Sequence, residues 1–192
     1  MSTGSSVTSA DDLHGNKLEP ILNRVIDEYR RDLGAGLIDA ILLIDQDAKV
    51  LAGASPCDIG NSVYDLGILS AALFGIADEG KDRFGCDDLN TLLLTWKDRQ
   101  IFIQSIGVVR TGEEGAIVSD ERNTARSERR LILSALTDVR VNIGLMRLKM
   151  KQVAGEILKS VSSSSSAMRL LNAKEEEIEK MIRNISDEVT SD

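Results

Sequence analysis

Few residues in this 192-residue chain are equipped for covalent chemistry. His14 is the sole histidine, and it lies within residues 1–16, a Ser/Thr-rich stretch expected to be disordered. A Ser–His pair for acyl transfer therefore lacks its base. Cys57 and Cys86, the two cysteines, stand 29 residues apart with no histidine at ligand spacing, so they suggest neither a zinc site nor a disulfide framework. They read as free thiols of a reducing compartment. No Gly-x4-Gly-Lys-Ser/Thr stretch occurs, which removes the phosphate-cradling loop of a nucleotide hydrolase. Carboxylates number 31, but spacing alone singles out no catalytic pair among them. The expectation is a protein without catalytic residues, cofactor or metal.

Composition excludes further classes. A net charge of -8 and a pI near 4.8 oppose a general phosphate-backbone binder, which needs a concentrated basic surface. Aromatic residues make up 3% of the chain, too few for the stacking platforms of single-strand nucleic-acid binders. No nucleic acid is expected as a partner. No apolar run approaches the about 20 residues that span a bilayer. Met1–Asp12 has neither a basic n-region nor an apolar h-region, so a secretory signal is not expected and a cytoplasmic location is. Hydrophobic residues, 42% of the total, suffice to fill one core.

Periodicity orders the elements. Leu18, Ile21, Leu22, Val25, Ile26, Tyr29 and Leu33 share one helical face, with Pro20 tolerated in the first turn and Gly34 and Gly36 ending the helix. Ile38–Asp45 is apolar at nearly every position, as in a strand covered on both faces, and it turns through Gln46–Lys49 into a second strand, Val50–Gly53. Pro56, Asp58 and Gly60 mark a loop, and Ser62 is placed to cap a helix over Ser62–Gly80. In that helix Leu66, Leu69, Leu73 and Ile76 form one stripe, while Ile68, Ala71, Ala72 and Gly75 leave a second face small and weakly polar. A helix of this kind has two partners, its own sheet and a subunit interface, unless it is deeply buried in a monomer.

Strands at Leu89–Trp96 and Ile101–Ile106 flank the polar tip Lys97-Asp98-Arg99. Gly107–Arg130 reads as an extended surface loop in which Arg122, Arg126, Arg129 and Arg130, interspersed with five acidic residues, form a solvated charge mixture. In the last strand Leu131, Leu133 and Ala135 alternate with Ile132, Ser134 and Leu136. Asp138 or Asn142 then caps a helix carrying Ile143, Met146, Met150, Val153, Ile157 and Val161, whose methionines read as adaptable core packing. The five serines Ser162–Ser166 are expected to be a flexible joint. Residues 167–192 form a C-terminal amphipathic helix and tail with Leu171, Ile178, Met181, Ile182 and Ile185 on one side, expected either to dock on a partner or to strap the protein's own dimer. The chain thus divides into 1–16, a domain over 17–161, a linker over 162–166, and 167–192.

The run Ile38-Asp39-Ala40-Ile41-Leu42-Leu43-Ile44-Asp45, its return through Val50-Leu51-Ala52-Gly53, and Leu131-Ile132-Leu133 followed by Asn142-Ile143-Gly144-Leu145-Met146-Arg147-Leu148 resemble the Roadblock family of dynein light-chain-like domains. The resemblance covers about Leu18 to Lys159 and rests on several elements in the right order. It implies an α/β fold, an αββαβββα layer with a five-stranded mixed sheet, one helix on one face and two on the other. It also implies a homodimer joined through sheet edges and a middle-helix pair, which points to Leu66, Leu69, Leu73, Ile76, Leu89, Thr91 and Leu93 as interface residues. Roadblock domains typically bind and regulate Ras-like small GTPases, and stand-alone prokaryotic members resemble Mgl-type polarity regulators. A scaffold without nucleotide dependence and a small-ligand sensor are the competing readings. Where the family often has glycine in the first hairpin turn, this chain has Ala48; a positive φ there would cost about 1 kcal/mol.

Overall fold

In the computed structural model, residues 17–33, 35–56, 62–110 and 128–173 are described. The elements run α1 (Leu18–Leu33), β1 (Ile38–Asp45), β2 (Val50–Ala54), α2 (Ser62–Phe84), β3 (Thr91–Thr95), β4 (Arg99–Arg110), β5 (Glu128–Asp138), α3 (Ile143–Ser163) and α4 (Ser165–Asn172). Seven of the eight β1 positions are buried, because β1 lies inside the sheet with helices on both faces.

The five strands are ordered β2-β1-β5-β4-β3. Every neighbouring pair is antiparallel, which corrects the expected mixed sheet. The reason lies in the connections. β1–β2 and β3–β4 are hairpins, and β5 enters between them against both. The crossover through α2 joins β2 to β3, the two opposite edges, so it creates no parallel neighbours.

Alternation along the strands sorts the core into two layers. Ile41, Leu43, Phe102, Leu131, Leu133 and Ala135 pack under α1 and α3, which contribute Leu22, Ile26, Met150 and Ile157. Ala40, Leu42, Ile44, Ile101, Ile103 and Ile132 face the other way, under Leu66, Ala71 and Phe74 of α2. The Tyr29 hydroxyl joins α1 to the start of α3, accepting from the Asn142 N–H at 2.7 Å and donating to the Ala35 carbonyl at 3.2 Å. Asn142 is the cap of α3, its Oδ1 accepting from the Leu145 N–H at 3.0 Å. Asp138 instead binds its neighbour Arg140.

Three segments depart from expectation. The stretch Gly107–Arg130 is not loop throughout, because Val108 pairs with Arg130, Val109 with Arg129 and Arg110 with Glu128. Gly107, at φ +140, makes the bulge that permits this, and a β-carbon there would sit 2.9 Å from Leu158 Cδ1 of α3. Residues 111–127 lie outside the described residues. The α2 helix runs on past Gly80 to Phe84, with Ser62 as its first helical residue and not its cap. The five serines are not a flexible joint: Ser162 and Ser163 end α3, and Ser165 and Ser166 begin α4. Ser164 between them has extended backbone, gives its N–H to the Val161 carbonyl and accepts the Ala167 N–H on Oγ at 3.2 Å. A serine that closes one helix and caps the next is a rigid corner. Ala167 and Leu171 beyond it are buried in the core.

Candidate interaction surface

The surface is built on α2, whose two sides are unlike. Toward the sheet it presents Leu66, Ser70, Ala71 and Phe74, all nearly inaccessible. Ser70 shares a 2.6 Å hydrogen bond with Ser134 on β5, so this polar side chain is satisfied inside the core. Gly67 lets the helix lie close, since a β-carbon there would sit 3.2 Å from Val50 Cγ2. Away from the sheet stand Tyr64, Ile68, Leu69, Ile76 and Phe84, with Ile76 71% and Phe84 80% exposed. Five large apolar side chains on one helix, left in water, are what an association surface looks like.

Beside them lies an open sheet edge. Among the described strands β3 pairs with β4 alone. Leu92 and Leu94, opposite Ile103 and Ile101, lie half-buried on the α2 face, while Leu93 points to the other face and is 46% exposed. Such an edge invites a further strand.

A charged frame fixes α2 against β3 and β5. Asp78 on α2 accepts from the Leu89 N–H at 3.2 Å and meets Arg130 of β5 at 2.9 Å. Lys81 reaches Asp88 at 2.7 Å and Asp78 at 3.5 Å, and the Arg130 guanidinium lies 5.9 Å above the Phe74 ring. Burial raises the Asp78 carboxyl, but the Leu89 N–H and Arg130 outweigh it and hold it below its ordinary value. Lys81 holds Asp88 down in the same way. Arg130, and Arg129 in its ion pair with Asp47, are therefore structural and largely buried, which corrects the expected solvated mixture. Arg122 and Arg126 lie outside the described residues.

Of the residues expected at a dimer interface, Leu69, Ile76 and Leu93 are exposed, and Leu73, Leu89 and Thr91 are half-buried. Leu66 turns inward to the sheet. Tyr64 and Phe84 were not anticipated. Their signal is the four-residue step Tyr64, Ile68, Ala72, Ile76, Gly80, Phe84, which winds along one ridge of the helix. Of the expected docking residues, Leu171 is fully buried in the protein's own core and is not available to a partner. Ile178, Met181, Ile182 and Ile185 lie outside the described residues, as do His14 and Cys57, whereas Cys86 is an exposed free thiol. Among the described residues no group of His, Cys, Asp or Glu is placed to hold a metal, and no helix is long and apolar enough to cross a membrane.

No family model matches the sequence. An uncharacterized protein of Methanocaldococcus jannaschii is 24% identical over 140 residues, spanning 73% of this chain and 96% of the relative. Among solved structures, the Roadblock/LC7 domain from Streptomyces avermitilis superposes with a TM-score of 0.56 at 11% identity, covering 76% of this chain and 98% of that domain. The gliding protein MglB from Thermus thermophilus gives 0.53 at 15% identity over 84% of this chain and all of its own. An MglB in a tetrameric arrangement gives 0.52 at 16% identity, over 82% and 96%. With its strand order, its single helix on one face and its paired helices on the other, this chain has the Roadblock/LC7 fold.

Proposed function

We propose that the protein is a homodimeric, non-catalytic adaptor of the cytoplasm that binds a Ras-like small GTPase and adjusts its nucleotide state. The observation that carries the dimer is the exposed apolar side of α2 lying beside the open edge of β3. A two-fold axis there lets β3 meet β3 of a second copy and the ridge of α2 pack against its counterpart, so one patch serves both subunits. The dimer residues are Leu69, Leu73, Ile76, Leu89, Thr91 and Leu93, joined by Ile68. Leu66 supports them from beneath.

The GTPase reading rests on the Roadblock resemblance and on the MglB proteins among the structural neighbours. The sequence carries no phosphate loop of its own, so nucleotide chemistry belongs to the partner. A platform of this kind acts by binding one conformation of the GTPase better than the other, and its effect is limited by that difference in affinity. Sedimentation at micromolar concentration tests the dimer. Capture from source lysate loaded with GDP or a GTP analogue tests the partner: a Ras-like GTPase retained in one nucleotide state supports the reading. Retention indifferent to nucleotide replaces it with a scaffold role.

A further inference from the structure

The turn between β1 and β2 concentrates local strain and buried charge in five residues. Ala48 adopts φ +65, a conformation that L side chains avoid. Asp45 is fully buried; its Oδ1 accepts the N–H groups of Asp47 and Lys49, both at 2.9 Å, while its Oδ2 has no hydrogen-bond partner among the described residues. Burial pushes the Asp45 carboxyl up and the Lys49 ammonium down. The turn is also tied to β5. The Gln46 N–H donates to the Arg130 carbonyl and the Arg130 N–H to Gln46 Oε1, both at 3.1 Å, and Asp47 is paired with Arg129. Outliers gathered in one place call for a purpose.

That purpose is found 122 residues away. Lys49 Nζ donates to the Leu171 carbonyl at 2.9 Å and to the Ala173 carbonyl at 2.7 Å. The Ala173 N–H already serves the Arg169 and Leu170 carbonyls, so Lys49 completes the end of α4 with a positive charge at its negative pole. At 8 residues α4 is too short to persist alone, and it hangs from the core by Ala167, Leu171 and this ammonium. Its other end is the sharp corner at Ser164, with φ -95 and ψ 111.

We propose that Lys49 is a latch that keeps the C-terminal strap α4 docked, and that the β1–β2 turn is held in its strained form to present that latch. Released, α4 leaves the core by a local opening while the sheet stays closed. The proposal stands apart from the GTPase reading and fails separately from it. Among the described residues, Asp45, Asp47 and Arg129 are the charged groups near Lys49.

Native-state hydrogen exchange on the full chain, read by mass spectrometry, is the test. In the wild type, amides of 165–173 should exchange through a local opening, faster than those of β1 and β5. Lys49→Met should raise exchange in 165–173 by about tenfold or more, the effect of losing charged hydrogen bonds, with β1 and β5 unchanged. Lys49→Arg, which keeps the charge, should restore much of the protection. Exchange of α4 only together with the sheet in the wild type would overturn the latch without any variant being needed. So would unchanged protection of 165–173 in Lys49→Met.

Discussion

α2, with 23 residues, and α3, with 21, lie on opposite faces of one sheet and distribute their apolar residues differently. On α3 the large side chains Met146, Met150, Val153, Ile157 and Val161 point inward. On α2 small residues, Gly67, Ser70 and Ala71, help make the inward face, and Tyr64, Ile68, Ile76 and Phe84 point out. The contrast separates two jobs that hydrophobic residues do. Those of α3 hold the fold together, whereas on α2 Leu66 and Phe74 do so and the outward residues are the ones proposed to meet a second copy.

Substitutions at matched positions break that comparison open. Ile157→Ala and Met150→Ala, both at fully buried sites, should destabilise the protein by about 2–5 kcal/mol in chemical denaturation, through lost burial plus the cavity left behind. Ile76→Ala should change the stability of the isolated subunit by no more than about 0.5 kcal/mol, as a surface substitution does. Leu69→Asp should yield monomers by sedimentation or insoluble protein, because a charge would be buried without a partner at the proposed interface. A Leu69→Asp variant that sediments like the wild type would show that the outward face of α2 is not the contact.

Smaller effects sharpen the picture. Ser70→Ala should cost about 1 kcal/mol, since it leaves the buried Ser134 hydroxyl without its partner. Ala48→Gly should stabilise the protein by up to about 1 kcal/mol in the same assay, relieving a left-handed backbone that alanine tolerates poorly. The smallest effect is a pH dependence. Arg140 holds the carboxyl of Asp138 down at about 2, against an ordinary 3.8. A depressed carboxylate contributes stability above its unfolded value, and that contribution is lost as pH falls from 3.8 through about 2. Asp138→Asn should remove this part of the acid transition and leave the rest.

The inward face of α3, the α1 stripe and the two-faced β5 were legible in the sequence because each rests on residues near one another in the chain. What escaped depends on partners far away. Ser70 carried no signal in the sequence, because its partner, Ser134, is 64 positions on. Arg130 looked solvated because Asp78 is on α2 and its aromatic neighbour is Phe74. The serine run looked like a linker because composition does not show that Ser164 caps, or that Lys49 waits at the end of the next helix. For the interaction surface, the exposed edge of β3 was anticipated. The direction of α2 was not, since leucines at three- and four-residue steps suit either side of a helix. Leu66 faces the sheet, and Leu69 faces away.

The place of β5 also sets an order of folding. β1 pairs with β2 and β3 with β4, but β1 and β4 meet only through β5, the last of the described strands. A chain emerging from the ribosome can form two separate hairpins, and it has no continuous sheet until Glu128–Asp138 arrives. Pairing of β5 with β1 spans most of the domain's length, the kind of non-local contact that slows folding. Until then Leu42, Ile44, Ile101 and Ile103 have no central strand between them. For that interval the two half-sheets expose apolar surface and unpaired strand edges, the features that favour aggregation.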